Sequence, residues 1–325
     1  MLENILCKRD YDTSKKSHVK IGGTFDIVYF PKSVSEVFEI VNYLNKKNLD
    51  YFVLGNLSNV LIRDGRIETI GISLKYLKNI KIMGEKIEVG AGALMPTLAT
   101  SLLKKGYLGF EGLVGIPGTV GGGIYMNASS YGSCISDFIE SITYITKNGS
   151  IETISKRECD FKWRNSIFRS GDYKDAIIIS CLLSNLKKTD KQEKSSTENV
   201  DMVKLLRGSY QEKKYPNLGS TFSTRNIYKD IFQDNRLDKI AEIMIRIISK
   251  LTTDRHKTYS NLIRKYTVIS RGIPDSLSEN ISEFTLNCFV NKGLSYNEFK
   301  GNIEEFRKVT NIKTELEIEI VDEIK

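Results

Sequence analysis

Three kinds of residue in this chain have the types and spacing to do chemistry: a glycine-rich run, small polar residues set in turns beside glycine, and carboxylates on alternate positions near the C-terminus. The longest stretch is Gly109 to Gly132, read as GFEGLVGIPGTVGGGIYMNASSYG. Glycine loses more backbone entropy on ordering than any other residue, so no regular helix or strand is expected there and something must offset that loss. In Gly115-Ile116-Pro117-Gly118-Thr119-Val120-Gly121-Gly122-Gly123 the bare backbone lets amide groups approach an anion or a flat cofactor. The plainer reading is a loop with several turns. A second turn, Gly55-Asn56-Leu57-Ser58-Asn59, lies between two short apolar runs, and Ser220 follows Gly219, where serine is ordinarily a turn residue. Glu315-Leu316-Glu317-Ile318-Glu319-Ile320 alternates, so three acids share one face of a strand, a face that is usually solvated.

Read together, these stretches resemble the UDP-N-acetylenolpyruvoylglucosamine reductases, flavin reductases of bacterial cell-wall synthesis. The family hallmark G-L-E-G-I-P-G-T-V-G-G, then M-N-A, then Y-G, is matched from Gly109 through Met126-Asn127-Ala128 to Tyr131-Gly132, with Val114 standing where an acid is usual. The turn at Gly55 is similar to the family's G-x-G-S-N loop, with Leu57 in place of a glycine; a positive φ there would strain leucine. Phe161 to Phe168 matches Y-R-x-S-x-F with Trp163 for tyrosine, and Tyr215 to Phe222 matches Y-P-x-x-G-S-x-F. The segment 223–284 departs most: Ser223-Thr224-Arg225-Asn226 lacks the proline that follows G-S-x-F in the family. Resemblance returns at Asn287 to Gly293 and at the C-terminal L-E-x-E-V pattern, whose second acid falls on Glu319.

The resemblance implies an α+β fold with a two-part FAD-binding domain and a C-terminal α+β substrate domain. Residues 1–76, joined by the C-terminal strand 316–325, form the first FAD-binding part, 77–190 the second, and 199–315 the substrate domain. It implies non-covalent FAD, NADPH as co-substrate and a UDP-sugar as acceptor, with no metal. The cofactor contacts fall on Gly55, Asn56, Leu57, Ser58, Asn59, Gly115, Ile116, Pro117, Gly118, Gly121, Gly122 and Asn127. By the same resemblance Arg164 and Glu319 would bind the substrate's carboxylate end and stabilise the anion left by hydride addition, and Ser220 would donate the proton. A flavin oxidase of the same binding architecture, or a flavin-binding protein without catalysis, remains as an alternative. Some oxidases hold flavin through histidine, and the two histidines, His18 and His256, lie in no matching motif. A phosphate-binding Gly-x-x-x-x-Gly-Lys-Ser/Thr loop does not occur.

Bulk properties bound the rest. With 325 residues and 40% hydrophobic content, the chain can bury more than one core. No apolar run approaches the ~20 residues that cross a bilayer, and the start shows no leader, so a cytoplasmic protein without membrane insertion is expected. Five widely spaced cysteines with no Cys-x-x-Cys read as reduced, mostly packed thiols. The net charge of +8 is spread along the chain without interleaved aromatics, which argues against nucleic acid, while a positive field would help collect phosphate-bearing ligands.

The elements that must position these residues are legible as periodicities. Ser33-Val34-Ser35-Glu36 is a capping box opening a helix with Val34, Val37, Phe38, Val41 and Leu44 inward. Strands are predicted at 51–54 and 60–62, hairpins around Gly84-Glu85 and Lys147 to Ser150, and a helix from Pro96 to Lys105 stopped by Gly106. The wholly polar 187–198 marks a boundary, and Val200, Val203 and Leu206 begin a helix beyond it. Leu237, Ile240, Met244, Ile247 and Leu251 mark a long amphipathic helix, and Ser295 to Glu298 caps another with Phe299, Ile303 and Phe306 inward.

Overall fold

A computed structural model describes residues 2–189, 200–205, 207–208, 211–233 and 235–322. Most of the polar boundary at 187–198, Leu206 of the helix that follows it, and the last three residues of the predicted C-terminal strand lie outside the described residues. Helix does form over 200–205.

The first layer is a five-stranded sheet. β1 (Cys7–Asp12) runs antiparallel to β2 (Thr24–Tyr29), while β3 (Tyr51–Leu54), β5 (Arg66–Ile67) and β6 (Ile70–Ser73) add parallel strands in the order β1-β2-β6-β3, with β5 off β2. β4 (Val60–Ile62) pairs instead with β14 (Glu319–Val321), in parallel, so the end of the chain returns to its beginning. A parallel pair needs a long crossover, and here nearly the whole protein is that crossover.

α1 (Val34–Lys46) follows its cap, Ser33 Oγ accepting from Glu36 N at 3.2 Å. It buries Val37, Ile40, Val41 and Leu44. Phe38, expected inward, is exposed, because one residue past Val37 turns it about 100° away from the core side. The second sheet is antiparallel, in the order β12-β11-β13-β8-β7, from β7 (Ile80–Met83), β8 (Lys86–Gly90), β11 (Ile139–Ile145), β12 (Ile151–Ser155) and β13 (Ile177–Leu183). Both predicted hairpins are present, with Gly84 and Gly149 supplying the left-handed turn residues. α2 (Met95–Leu103) carries Pro96 in its first turn, and Gly106 lies just beyond its end at φ +86°. α1, α2 and this sheet share one core.

The C-terminal half packs α5 (Ile227–Phe232), α6 (Arg236–Lys250), α7 (Arg255–Ser270) and α8 (Tyr296–Thr310) around Phe222, Phe289, Phe299 and Phe306. Val19, Ile21 and Leu61 of the first part enter the same cluster, which ties the two halves into one body. α8 keeps its capping box, and Phe299, Ile303 and Phe306 are inward. All five cysteines are free; burial pushes the thiols of Cys159, Cys181 and Cys288 up to about 12, so they pack as inert apolar groups. Among the described residues no helix is long and apolar enough to cross a membrane.

Candidate active site

A cavity of about 1570 Å³ opens where the two sheets and the C-terminal half meet. Its walls hold Gly55 to Asn59, Gly115 to Gly118, Gly121, Gly122, Arg164, Ser220, Glu317 and Glu319. Typical small-molecule pockets hold about 300–1,000 Å³, so this one has room for a dinucleotide and a second ligand.

The turn after β3 presents bare backbone amides to the cavity. Leu57 sits at φ +51°, the left-handed conformation that the missing glycine would have adopted freely. That conformation costs leucine about 1–2 kcal/mol. Its side chain is buried with Phe25, Val28 and Phe30, and full burial of a leucine is worth about 1.5–3 kcal/mol, so packing offsets the strain. The backbone amides of Asn56, Leu57 and Ser58 find no acceptor among the described residues. Successive unsatisfied amides bent around a left-handed residue form a concavity that suits phosphate oxygens. Asn56 Nδ2 donates to Pro117 O at 2.5 Å and holds this turn against the glycine-rich loop. Asn59 also lines the cavity, and its Nδ2 donates to Glu317 O at 2.9 Å, so its side chain braces the segment that carries the acids.

The glycine-rich stretch is not the irregular loop that its composition predicts. Gly121, Gly122 and Gly123 lie within α3 (Val120–Tyr125), started by Thr119, whose Oγ1 accepts from Gly122 N at 3.2 Å. The amides of Val120 and Gly121 donate to Ala93 O and Ala91 O, both at 2.8 Å. These amides are therefore spent within the protein, and the glycines serve close backbone packing instead. A Cβ on Gly123 would overlap Met95 Cε, and one on Gly115 would overlap the Arg207 guanidinium. Gly122 is different. A Cβ there meets only Thr119 Oγ1, at 3.4 Å, and Gly122 faces the cavity without a positive φ. Gly122→Val should therefore leave a folded protein that retains less than about a tenth of the parent's flavin after gel filtration, read from the absorbance ratio of flavin to protein. Equal flavin content would show that this wall does not touch the cofactor.

Asn127, expected among the cofactor contacts, does not line the cavity. It ends α3 at φ +46°, is buried, donates from Nδ2 to Lys162 O at 2.8 Å and accepts from Cys134 Sγ at 3.1 Å. A small polar side chain that tolerates the left-handed region suits this helix end, and it pins the loop carrying Arg164.

That loop is a tight turn in which Lys162 and Asn165 exchange backbone hydrogen bonds and Arg164 itself takes φ +53°. Arg164 Nη1 donates to Ser129 O at 2.9 Å, and its Nε lies 2.9 Å from Glu317 Oε1. The Nε–H is buried without a hydrogen-bond partner, so its contact with Glu317 is an ion pair with poor alignment rather than a linear bond. Burial raises the Glu317 carboxyl above its ordinary range, with Arg164 pulling the other way. Trp163 lies between two guanidinium groups, 4.9 Å from Arg164 and 5.0 Å from Arg225.

Glu319 is not the partner of Arg164. It pairs with Arg169 on α4 (Ile167–Ser170), Nε to Oε1 at 2.6 Å. The same arginine donates from Nη1 to Arg164 O at 2.8 Å and from Nη2 to Leu316 O at 3.0 Å. Arg169 thus locks the Arg164 turn to the acid-bearing strand. Of the three acids at 315–319, Glu317 and Glu319 turn toward the cavity, Glu317 being only 13% exposed, while Glu315 stays exposed outside it.

Ser220 is presented by a segment clamped on both sides. Asn217 Oδ1 accepts from Gly219 N at 2.9 Å, with Gly219 at φ +77°, and Asn287 bonds Phe222 N and O at 2.7 and 3.0 Å. Ser220 is exposed to the cavity, and its hydroxyl has no partner among the described residues. Phe222 forms an antiparallel bridge with Leu316, and Glu317 N donates to Thr221 O at 2.8 Å. Ser220, Glu317 and Arg164 are in this way carried on two hydrogen-bonded segments and a turn.

Arg169 and Arg207 have no explicit sequence signal as site builders, and Asn287 opens a matched stretch that assigns it no role. Arg207 donates to Gly115 O at 2.6 Å, Gly112 O at 3.0 Å and Ser130 Oγ at 2.6 Å, and so fastens the glycine-rich loop to the C-terminal half. The absence of side chains at Gly112 and Gly115 was its only trace.

Comparison with known proteins agrees with this architecture. A family model described as an FAD binding domain matches residues 25–155. The UDP-N-acetylenolpyruvoylglucosamine reductase of Clostridium novyi is 36% identical over 225 residues, 68% of this chain and 71% of its own. The enzyme of the same name from Lactobacillus acidophilus is 34% identical over 221 residues, covering 68% and 72%. In fold, the chain is similar to the crystal structure of the UDP-N-acetylenolpyruvylglucosamine reductase from Thermus caldophilus, with a TM-score of 0.66 over 98% of both chains at 21% identity. The glycine-rich wall, the bare amides of the turn after β3 and more than 30% identity across two thirds of full-length relatives lead to one conclusion: this chain belongs to the UDP-N-acetylenolpyruvoylglucosamine reductase family.

Proposed function

We propose that this protein reduces the enolpyruvyl double bond of UDP-N-acetylenolpyruvoylglucosamine to give UDP-N-acetylmuramate, with NADPH as hydride source, in the cytoplasm. Non-covalent FAD, when bound, relays the hydride from NADPH to the sugar. The residues present fit that group: three unsatisfied amides in the 56–58 turn suit its pyrophosphate, and the Gly118 and Gly122 wall leaves room for a flat ring system. Residues 1–76 with the C-terminal strand and residues 77–190 are read as the two FAD-binding parts, the pairing of β14 with β4 supporting the first. Residues 199–315 are read as the substrate domain.

The observation that carries this reading is the convergence of Ser220, Arg164 and Glu317 on one wall of the cavity. Hydride addition to one carbon of the double bond leaves negative charge on its neighbour and on the attached carboxylate. Arg164 supplies the positive charge that stabilises it, its Nε–H being only poorly aligned on Glu317. Burial raises the Glu317 carboxyl and so lessens its repulsion of the developing anion beside Arg164. Ser220 gives its proton to the carbanion and recovers one from water; a hydroxyl is a weak acid, so this depends on close aim from the clamped turn. We assign the acid to Glu317 rather than Glu319, because Arg169 Nε hydrogen-bonds to Glu319 at 2.6 Å, whereas the contact of Arg164 with the more deeply buried Glu317 is poorly aligned.

Arg164→Lys keeps the charge but loses the planar fork. Turnover of the sugar should fall by about 100-fold or more while bleaching of the flavin by NADPH changes less than about threefold, both followed by stopped-flow absorbance. Equal losses in both half-reactions would make Arg164 structural or nicotinamide-binding.

A further inference from the structure

Helix α6 is docked the wrong way round for an ordinary surface helix. Its polar side faces the protein: Asp238 and Ser249 are buried, Asp238 accepts from Tyr266 Oη at 2.7 Å and pairs with Arg271, and Glu242 accepts from Tyr259 Oη at 3.2 Å. Its apolar side faces outward. Leu237, Ile240, Ile243, Met244, Ile247, Ile248 and Leu251 are each between 46 and 84% exposed. At 3.6 residues per turn these seven fall on one continuous face, a patch larger than a soluble surface normally leaves open. The same spacing places Lys250 and Arg246 one after another along one border of that face and Arg236 between Ile243 and Ile247 in projection at its N-terminal end, while the other border runs into Asp238, Ile245 and Ser249 on the protein side.

The charge of this hairpin indicates what would cover it. Residues 236–271 contain nine Lys/Arg and three Asp/Glu, a balance of +6 out of the chain's +8. A second copy of the chain would bring +6 against +6. A negatively charged surface with an apolar interior matches both the apolar face and its basic border.

We propose that α6 is a docking helix for an anionic lipid bilayer, lying in the plane of the interface with its apolar side chains at the acyl boundary and the bordering Arg and Lys on lipid phosphates. No residue of α6 lines the cavity, so the flavin site stays outside the docked surface and the inference stands independently of the reaction assigned to it. The protein is thereby held on a membrane face without spanning it.

Co-sedimentation of the FAD-loaded full chain with phosphatidylcholine vesicles, with and without about one quarter phosphatidylglycerol, tests this. Binding should be at least about tenfold tighter with the anionic lipid and should weaken in high salt. The triple variant Ile240→Ser, Met244→Ser, Ile247→Ser should lose about tenfold or more of that binding with unchanged flavin content and turnover. Arg236→Glu with Lys250→Glu should lose the preference for anionic lipid. Equal binding to both vesicle types, or binding that both variants retain, would overturn the proposal. So would a lipid-free dimer in light scattering that the triple variant abolishes, since the face would then belong to a second copy.

Discussion

Ser220→Ala should leave the bleaching of bound flavin by NADPH at the parent rate and slow its recolouring by the UDP-sugar by about 100- to 10,000-fold, the usual worth of a positioned acid. The first half-reaction requires nothing from the hydroxyl. The second needs a proton delivered to carbon, and Ser220 is the cavity-facing hydroxyl held between the Asn217 and Asn287 clamps. Those clamps act on neighbouring backbone, so alanine keeps the turn and the loss is one of chemistry. Ser220→Cys, a stronger acid of similar shape, should recover part of the rate. Recolouring of the alanine variant at the parent rate with saturating sugar would remove Ser220 from the mechanism.

Glu317→Gln should cost the sugar half-reaction about 100-fold or more, whereas Glu319→Gln should cost less than about tenfold. Both acids line the cavity, but they answer to different arginines. Loss of fold is separable from loss of chemistry by the sign of the linkage. Because burial raises the folded pKa of Glu317 above its ordinary 4.5, its contribution to stability is full below that value and is lost as pH rises through the folded pKa. A neutral glutamine is therefore expected to melt at or above the parent temperature at pH 7. Should Glu319→Gln be the more damaging of the two, the acid belongs to the Arg169 pair and the assignment of Glu317 fails.

What was legible in the sequence followed local rules. The caps at Ser33 and Ser295, the proline of α2 and the glycine turns of both hairpins act within a few residues, and each element formed where its signal stood. Leu57 was legible as a problem, and its positive φ is real. The failures are tertiary. A run of three glycines has poor helix propensity, yet α3 forms because Thr119 caps it and Ala91 and Ala93 accept its first amides from across the core. Alternation put Glu317 and Glu319 on one face but could not separate them; only arginines about 150 residues upstream do. The periodicity of 237–251 revealed an apolar face without saying which way it points. The matched motif at Asn127 carried no sign that the residue also forms a left-handed helix end bonded to Lys162 O.

The central claim is that one cavity passes hydride from NADPH to an enolpyruvyl UDP-sugar through bound flavin. An anaerobic absorbance titration of the purified FAD-loaded protein tests it most directly. Bleaching of the yellow colour by one equivalent of NADPH, followed by full recolouring on addition of UDP-N-acetylenolpyruvoylglucosamine in the absence of oxygen, is the predicted result. Recolouring only when air is admitted, with the sugar inert, would contradict the account and make the protein a flavin oxidase.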